Sequence, residues 1–313
     1  MPTSTPTGDR LPGRPIVYGE VLFDCFEDGS SVLGGAPFNV AWHLQGFGLA
    51  PLFVSRVGED ALGEKVLEAM AGWGMATDGV QRDPDYPTGQ VTVALTNGQP
   101  RFDIRANQAY DHIQMEPVLQ LFAAEAPSLL YHGTLIARSP RSAATLNALR
   151  DPAHNVPVFV DVNLRPPWWQ HSDLEEGLRM ARWAKLNDEE LAALLEVSPE
   201  SLHDAASIRE SAAEARNRFE LEMLVVTRGA DGAVLLSRHG IWNAPAAPVE
   251  KLVDTVGAGD AFSAVTLLGL MNGWPPREIL MRALQFASAL CSQRGATAAD
   301  PDLYARHLEA WQT

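Results

Sequence analysis

Cysteine is scarce in this 313-residue chain: Cys25 and Cys291 are the only two. Two thiols cannot build a disulfide framework or a structural zinc site, and the reading is reduced thiols in a cytoplasmic protein. Positive charge is also short, with 24 Lys and Arg against 39 Asp and Glu, a formal net charge of −15. Nucleic acid and anionic membranes need clustered cations, so neither is an expected partner. No apolar run reaches bilayer length; residues 265–271 are too few. Residues 1–15, rich in Pro, Thr and Gly, have no apolar run either and read as a disordered leader rather than a signal peptide or anchor. Two nucleotide motifs are missing. Gly58-Glu-Asp-Ala-Leu-Gly63-Glu64-Lys65 has P-loop spacing, but Glu64 stands where the Lys should be and Lys65 where Ser or Thr should be. No Gly-x-Gly-x-x-Gly follows the first apolar run, which disfavours a nicotinamide fold.

What is present is a globular composition, 46% apolar and 20% charged, able to bury a sizeable core. Apolar runs alternate with helical spacing. Strands are predicted over residues 16–23, 52–57, 128–132, 156–161, 183–186 and 222–227, with helices over 36–45, 61–73, 141–150, 173–181, 188–195 and 208–219. Strands separated by crossover helices are parallel neighbours, so the pattern predicts an α/β domain over residues 16–313, a doubly wound and mostly parallel sheet flanked by helices. Residues 91–95 and 101–104 flank Asn97-Gly98, a hairpin turn pair; they predict a small β flap beside the main sheet. Residues 233–237 and 240–243 predict a second hairpin.

The most informative stretch is Asp254-Thr-Val-Gly-Ala-Gly-Asp260, read as the junction between a strand over 249–253 and a helix over 261–271. Glycines allow a sharp turn that exposes successive N–H groups, and the following helix adds its positive end, which makes an anion nest of Gly257, Ala258 and Gly259. Asp260 at such a helix start is either a first-turn dipole partner or a general base beside a phosphate site, and the loop alone does not decide.

Asp254-Thr-Val-Gly-Ala-Gly-Asp260 resembles the C-terminal signature of the ribokinase-like, or phosphofructokinase-B, sugar kinases. Gly34-Gly35-Ala36-Pro37-Phe38-Asn39-Val40-Ala41 resembles their N-terminal signature in its fructokinase form. The likeness runs from about residue 16 to the end, with the motifs in the family's order. It implies an ATP- and Mg²⁺-dependent carbohydrate kinase, with Asp260 as base and a β lid from about 20–34 and 88–106. Fructose, phosphorylated at its 6-position, is the first implied acceptor; ribose, 2-keto-3-deoxygluconate, a nucleoside or a phosphorylated sugar stay open. On the sugar side it implies Asp24, at the end of the first predicted strand, Gly34, Gly35, Asn39, Phe102 of the lid, and Asn163 with Arg165 in Asp161-Val-Asn163-Leu-Arg165. On the nucleotide side it implies Asn187 and Glu190, Glu190 reaching Mg²⁺ through water, then Thr227, Gly229 and Gly232, and Gly257 with Gly259. The residues alone allow plainer roles: a turn for Asp24, helix capping for Asn39, an ion-paired surface Arg165, a capping box for Asn187 and Glu190, and a hairpin turn for 227–232. Asp254 reads as a loop-fixing carboxylate that in relatives also meets a monovalent cation, with Cys291-Ser-Gln-Arg-Gly295-Ala296 completing the site, so K⁺ is a candidate cofactor. A homodimer through the lid is compatible with the resemblance. Rival classes are a non-catalytic sugar sensor of the same fold and, more remotely, a dehydrogenase.

Overall fold

A computed structural model of the chain describes residues 10–96, 99–249 and 251–312, with backbone alone for 94–96 and 99–102. The chain runs β1 (Arg14–Tyr18), β2 (Leu22–Phe26), β3 (Ser31–Gly34), α1 (Ala36–Gly46), β4 (Leu52–Gly58), α2 (Ala61–Gly72) and β5 (Val80–Asp83). It continues through β6 (Gly89–Thr96), β7 (Gln99–Ile104), α3 (Met115–Ala124), β8 (Pro127–Gly133), α4 (Pro140–Leu149), β9 (Val158–Asp161), α5 (His171–Arg179), β10 (Trp183–Asn187) and α6 (Asp188–Leu195). Last come α7 (Ala205–Arg218), β11 (Met223–Thr227), β12 (Ala233–Ser237), β13 (Gly240–Ala244), α8 (Ala258–Asn272), α9 (Pro276–Leu290) and α10 (Pro301–Ala310).

The main sheet has nine strands in the order β13-β12-β11-β10-β9-β8-β1-β4-β5. It is parallel from β11 to β5, and β12 and β13 add an antiparallel hairpin at one edge. This is the doubly wound α/β sheet that the alternating pattern predicts. Its strands are buried on both faces. Val17, Leu129, Tyr131 and Phe159 point into one core, shared with α1, α8 and α9, while Ile16, Tyr18, Leu130, Val158 and Val160 point into the other. That explains why they read as unbroken apolar runs. The chain order reverses around β1, so a crevice is expected above the carboxyl ends of β1 and its neighbours. Helix α8 is buried on nearly every side, from Ala261 to Gly269. A helix apolar all round belongs inside the molecule, and its N-terminus emerges at the same crest.

Four strands form a separate sheet, β3-β2-β6-β7, with β2 and β6 parallel and the other pairs antiparallel. The predicted flap is therefore larger than one hairpin. The Asn97-Gly98 turn lies outside the described residues. So do residues 1–9 of the predicted leader. Its last part is not a leader: Arg14 and Pro15 belong to β1, and the Arg14 guanidinium donates to Ala50 O at 2.8 Å and to Glu125 at 2.7 Å.

Two further expectations need correction. The predicted strand over 16–23 is two strands in two sheets, broken at Gly19-Glu20-Val21, so Asp24 sits within β2 of the small sheet and not at the end of β1. Of the predicted strand over 249–253, the described residues 249 and 251–253 form none. The edge it would have joined is taken by β13; Leu252 and Val253 are 65% and 47% exposed, and the Val253 and Asp254 N–H groups both donate to Cys291 O. None of the helices among the described residues is long and apolar enough to cross a membrane.

Candidate active site

The start of α8 is built by Gly257. It caps the helix in the left-handed region, at φ 79°, and a Cβ there would lie 2.5 Å from Ala296 Cα. Only glycine meets both demands. Among the described residues, the N–H groups of Gly257, Gly259 and Asp260 have no protein acceptor. Ala258 is the exception within the predicted nest: its N–H turns back to Thr255 O at 3.3 Å. Asp254 fixes the loop. One carboxylate oxygen accepts from Val256 N and the other from Gly295 N, each at 3.0 Å, which ties 254–257 to the segment after α9.

Asp260 lies in the first turn, partly exposed, and accepts a hydrogen bond from Asn39 Nδ2 at 2.7 Å. Asn39 does not cap α1; Gly35 does, without any side-chain bond, so the amide is free to cross to Asp260. Gly35 is glycine for a conformational reason, φ 108° with Glu20 O only 2.8 Å from where a Cβ would be. Gly34 instead has open space on its Cβ side, Asn39 Oδ1 being 4.0 Å off. Desolvation pushes the Asp260 carboxyl up to about 6, opposed by the Asn39 bond. Asp161 raises it further, while Lys185 and Arg165 lower it. A carboxylate whose pKa is poised near neutrality is suited to proton abstraction.

Arg165 is exposed and makes no ion pair among the described residues; its guanidinium donates there only to Leu164 O, at 3.4 Å. Its charge nevertheless acts on Asp24, Glu20 and Asp260 alike, favouring the ionised form of each carboxyl. Asp24 is half-buried in β2, its carboxylate has no hydrogen-bond partner among the described residues, and burial raises its pKa. Asn163, in the left-handed region at φ 41°, turns the chain between β9 and Arg165. The Phe102 side chain lies outside the described residues, although its backbone pairs with Val93 between β6 and β7.

On the other flank, Asn187 and Thr227 end β10 and β11 as register partners. Asn187 and Glu190 form the capping box: Asn187 Oδ1 accepts from Glu190 N at 2.8 Å, and Glu190 Oε2 accepts from Asn187 N at 2.9 Å. Glu190 Oε1 also accepts from Leu164 N at 2.8 Å, joining this cap to the Asn163–Arg165 turn. Gly229 and Gly232 make the tight turn from β11 into antiparallel β12, and Gly232 allows no Cβ, which would fall 2.0 Å from Ala244 O. Among the described residues there is no group of three or more His, Cys, Asp and Glu able to hold a metal alone.

A buried charge network beneath Asp260 escapes the motif reading. Lys185 Nζ donates to Asp161 Oδ1 at 2.7 Å, and Asp161 Oδ2 accepts from Ser263 Oγ at 2.6 Å and Tyr131 OH at 3.1 Å. Burial opposes the Lys185 charge, yet the Asp161 carboxylate outweighs it and holds the lysine pKa above its usual value. Lys185 also reaches the anion nest, 3.6 Å from the position of a Gly259 Cβ. One signal was available: a lysine inside the apolar strand Trp183-Ala-Lys185-Leu must have a buried partner. Glu20 was missed as well. It is 4% exposed with Oε2 unpartnered, and desolvation raises its pKa to about 7.

The model of the pfkB family of carbohydrate kinases matches residues 23–303. A fructokinase from Salmonella typhimurium is 30% identical over 294 residues, 90% of this chain and 92% of that protein. A 5-dehydro-2-deoxygluconokinase from Geobacillus thermodenitrificans is 27% identical over 295 residues, 89% of this chain and 85% of that one. Among solved structures, a fructokinase with bound ATP from Xylella fastidiosa superposes with a TM-score of 0.79 at 23% identity, covering 96% of this chain and 99% of the other, a likeness of fold.

Proposed function

The chain belongs to the pfkB family of carbohydrate kinases, and from that premise we propose that it transfers the γ-phosphoryl group of ATP to a primary hydroxyl of a monosaccharide, fructose first, giving fructose 6-phosphate. The observation that supports this most directly is Asp260: a carboxylate with raised pKa, held by Asn39 at 2.7 Å, in the first turn of a helix where the Gly257, Gly259 and Asp260 N–H groups have no acceptor among the described residues. In the proposed step the acceptor oxygen bonds to the γ-phosphorus, the bond to the β-phosphate oxygen breaks with its electron pair leaving on ADP, and Asp260 takes the hydroxyl proton. The Gly257 and Gly259 amides and Arg165 balance the phosphoryl charge, with Lys185 behind Gly259; positioning and electrostatics carry such reactions.

Mg²⁺ bound with the nucleotide would shield its phosphates. Mg²⁺ keeps several waters and leans on few carboxylates. Glu190, with one backbone N–H on each oxygen, keeps lone pairs to receive such a water. Asn187, Thr227, Gly229 and Gly232 would line the nucleotide's path at the ends of β10 and β11. A K⁺ ion beside Asp254 would take backbone carbonyls of the two loops that it joins.

Asp24, Gly34, Asn39, Asn163 and Arg165 would receive the sugar, and the small sheet would close as a lid, with Phe102 on it, to exclude water. Exposed Phe26 and Val32, 39% and 48%, give that sheet an apolar edge through which two copies could pair. A neutral sugar fits better than a sugar acid, because Asp24 and Glu20 already set two carboxyl groups against the unpaired Arg165. The test is ADP release with Mg²⁺ across fructose, ribose, 2-keto-3-deoxygluconate and a nucleoside. Fructose should give the highest kcat/KM. A sugar acid in first place would overturn the acceptor, and no ADP release with any sugar would leave the sensor reading standing instead.

A further inference from the structure

Behind the main sheet, between β8 and β9 on one side and α4 and α5 on the other, lies a cavity of about 140 Å³. Its wall includes His132, Arg138, Arg150, Trp168, Trp169 and Leu174, and none of Asp24, Asn39, Arg165 or Asp260. His132 and Arg150 are 3% and 8% exposed, and the Arg138 side chain 4%. Each nonetheless brings a buried polar atom without a protein partner: His132 Nε2, Arg138 Nη1 and Arg150 Nε.

The three atoms differ in what they ask for. His132 Nδ1 meets Gly133 O at 2.9 Å. A carbonyl only accepts, so Nδ1 carries the proton and Nε2 is left as an acceptor. Burial and the neighbouring Arg150 charge push the His132 pKa down to about 3, which keeps the ring neutral. The two guanidinium groups can only donate. Arg138 already has a counter-ion, gripping Asp111 through Nε and Nη2 at 2.7 Å each. Arg150 has none. Its Nη2 donates to the Asn147 side chain, and although the Glu176 charge reaches it, Glu176 is exposed and forms no ion pair with it among the described residues. A buried guanidinium without a paired anion is costly, and an anion delivered into the cavity removes that cost. Asp173 and Glu176, also in the wall but exposed, work against a multiply charged ligand. The Arg138 guanidinium already stacks over the Trp168 ring, 4.5 Å from its centroid, so it is the Trp169 indole that suits a short carbon skeleton.

We propose that this cavity binds a small hydroxycarboxylate no larger than a triose, its carboxylate on Arg150 and the free N–H of Arg138, its hydroxyl donating to His132 Nε2. The full chain, with a non-hydrolysable ATP analogue filling the phosphoryl cleft, is titrated calorimetrically with DL-glycerate, glycerol 3-phosphate and inorganic phosphate. Saturable glycerate binding is expected, weakened at least about tenfold in Arg150→Gln, the usual scale for a lost hydrogen bond to a charged group. Ala143→Leu, which narrows the cavity from α4 without touching a charge, should weaken it likewise. Unchanged analogue affinity in both variants checks that they are folded. Glycerate binding equally well to both variants, or to neither them nor the wild type, would overturn the site; tighter binding of either phosphate compound would overturn the hydroxycarboxylate.

Discussion

Replacing Asn39 by Ala isolates one hydrogen bond, Asn39 Nδ2 to Asp260 Oδ2 at 2.7 Å. That bond favours the charged carboxylate, so its removal must raise the Asp260 pKa. A hydrogen bond to a charged group contributes about 1.5–3 kcal/mol, and partial exposure of Asp260 argues for the lower end. At 1.36 kcal/mol per pKa unit, the expected rise is about one unit. A general base works only when deprotonated, so activity is lost as pH falls through its pKa. In the wild type the acid limb of kcat/KM should sit near the Asp260 value of about 6, and in Asn39→Ala about one unit higher. The variant should then lose roughly fivefold more activity than the wild type between pH 8.5 and pH 6. Any loss of sugar contacts would lower its whole curve without moving the limb. The assay is direct quantification of ADP over pH 5–9 at sugar concentrations well below KM, without coupling enzymes that titrate themselves. Superposed acid limbs, or a limb shifted to lower pH, would refute the claim that Asn39 tunes the base.

Three further outcomes are expected. Asp260→Asn should keep nucleotide binding by calorimetry and lose about 10²- to 10⁴-fold in turnover; undiminished turnover would end the mechanism. Glu20→Gln should flatten the pH dependence of stability. The wild-type carboxyl goes from 4.5 to about 7 on folding, so its protonated form favours the fold and that benefit disappears as pH rises through this window. The variant should therefore melt at a higher temperature than wild type at pH 8 and near it at pH 4, and equal melting at pH 8 would count against a buried, charged Glu20. Lys185→Met should destabilise by about 3–5 kcal/mol in urea melts, because Asp161, 1% exposed, loses its counter-charge. Pairing it with Asp161→Asn should recover much of that loss, and a purely additive double variant would disprove the coupling.

The legible parts of the fold were those where one residue type is forced by the backbone or by periodicity. Gly257 at φ 79° and Gly35 at φ 108° stand where L side chains do not fit, so the motifs carrying them locate the helix starts of α8 and α1. The strands β4 and β8 to β12, and the helices α2 and α4 to α7, followed from apolar runs and their spacing, whereas α3 was not read. Failures came where apolar content had another cause. Leu252 and Val253 look like a strand but have no sheet edge to join. The run over 16–23 is continuous in hydrophobicity, yet Gly19, packed 2.2 Å (as a virtual Cβ) from Pro37, lets the backbone leave one sheet for the other. The plainer readings also separated by partner: Glu190 does cap its helix, Asn39 does not, and Arg165 is unpaired.

Charge placement across the sheet was illegible because it joins residues far apart in the chain. Lys185 meets Asp161 as register neighbours of β10 and β9, and Asp161 then meets Ser263 on α8, a contact spanning 102 positions. No local pattern encodes that triangle; only the unlikelihood of a lysine in a buried strand hints at it. The same holds for Asp24. Its motif suggests the crest of the main sheet, but the break at Gly19 carries it onto β2, paired with β3 and β6. Asn39 and Asp260 stay with α1 and α8, whereas Asp24 belongs to the sheet that would move as a lid. A displacement of that sheet therefore changes the distance from Asp24 to Asp260 while leaving the Asn39–Asp260 bond intact. On the proposed function, closure would therefore change how Asp24 meets the sugar while the hydrogen bond from Asn39 to Asp260 is kept.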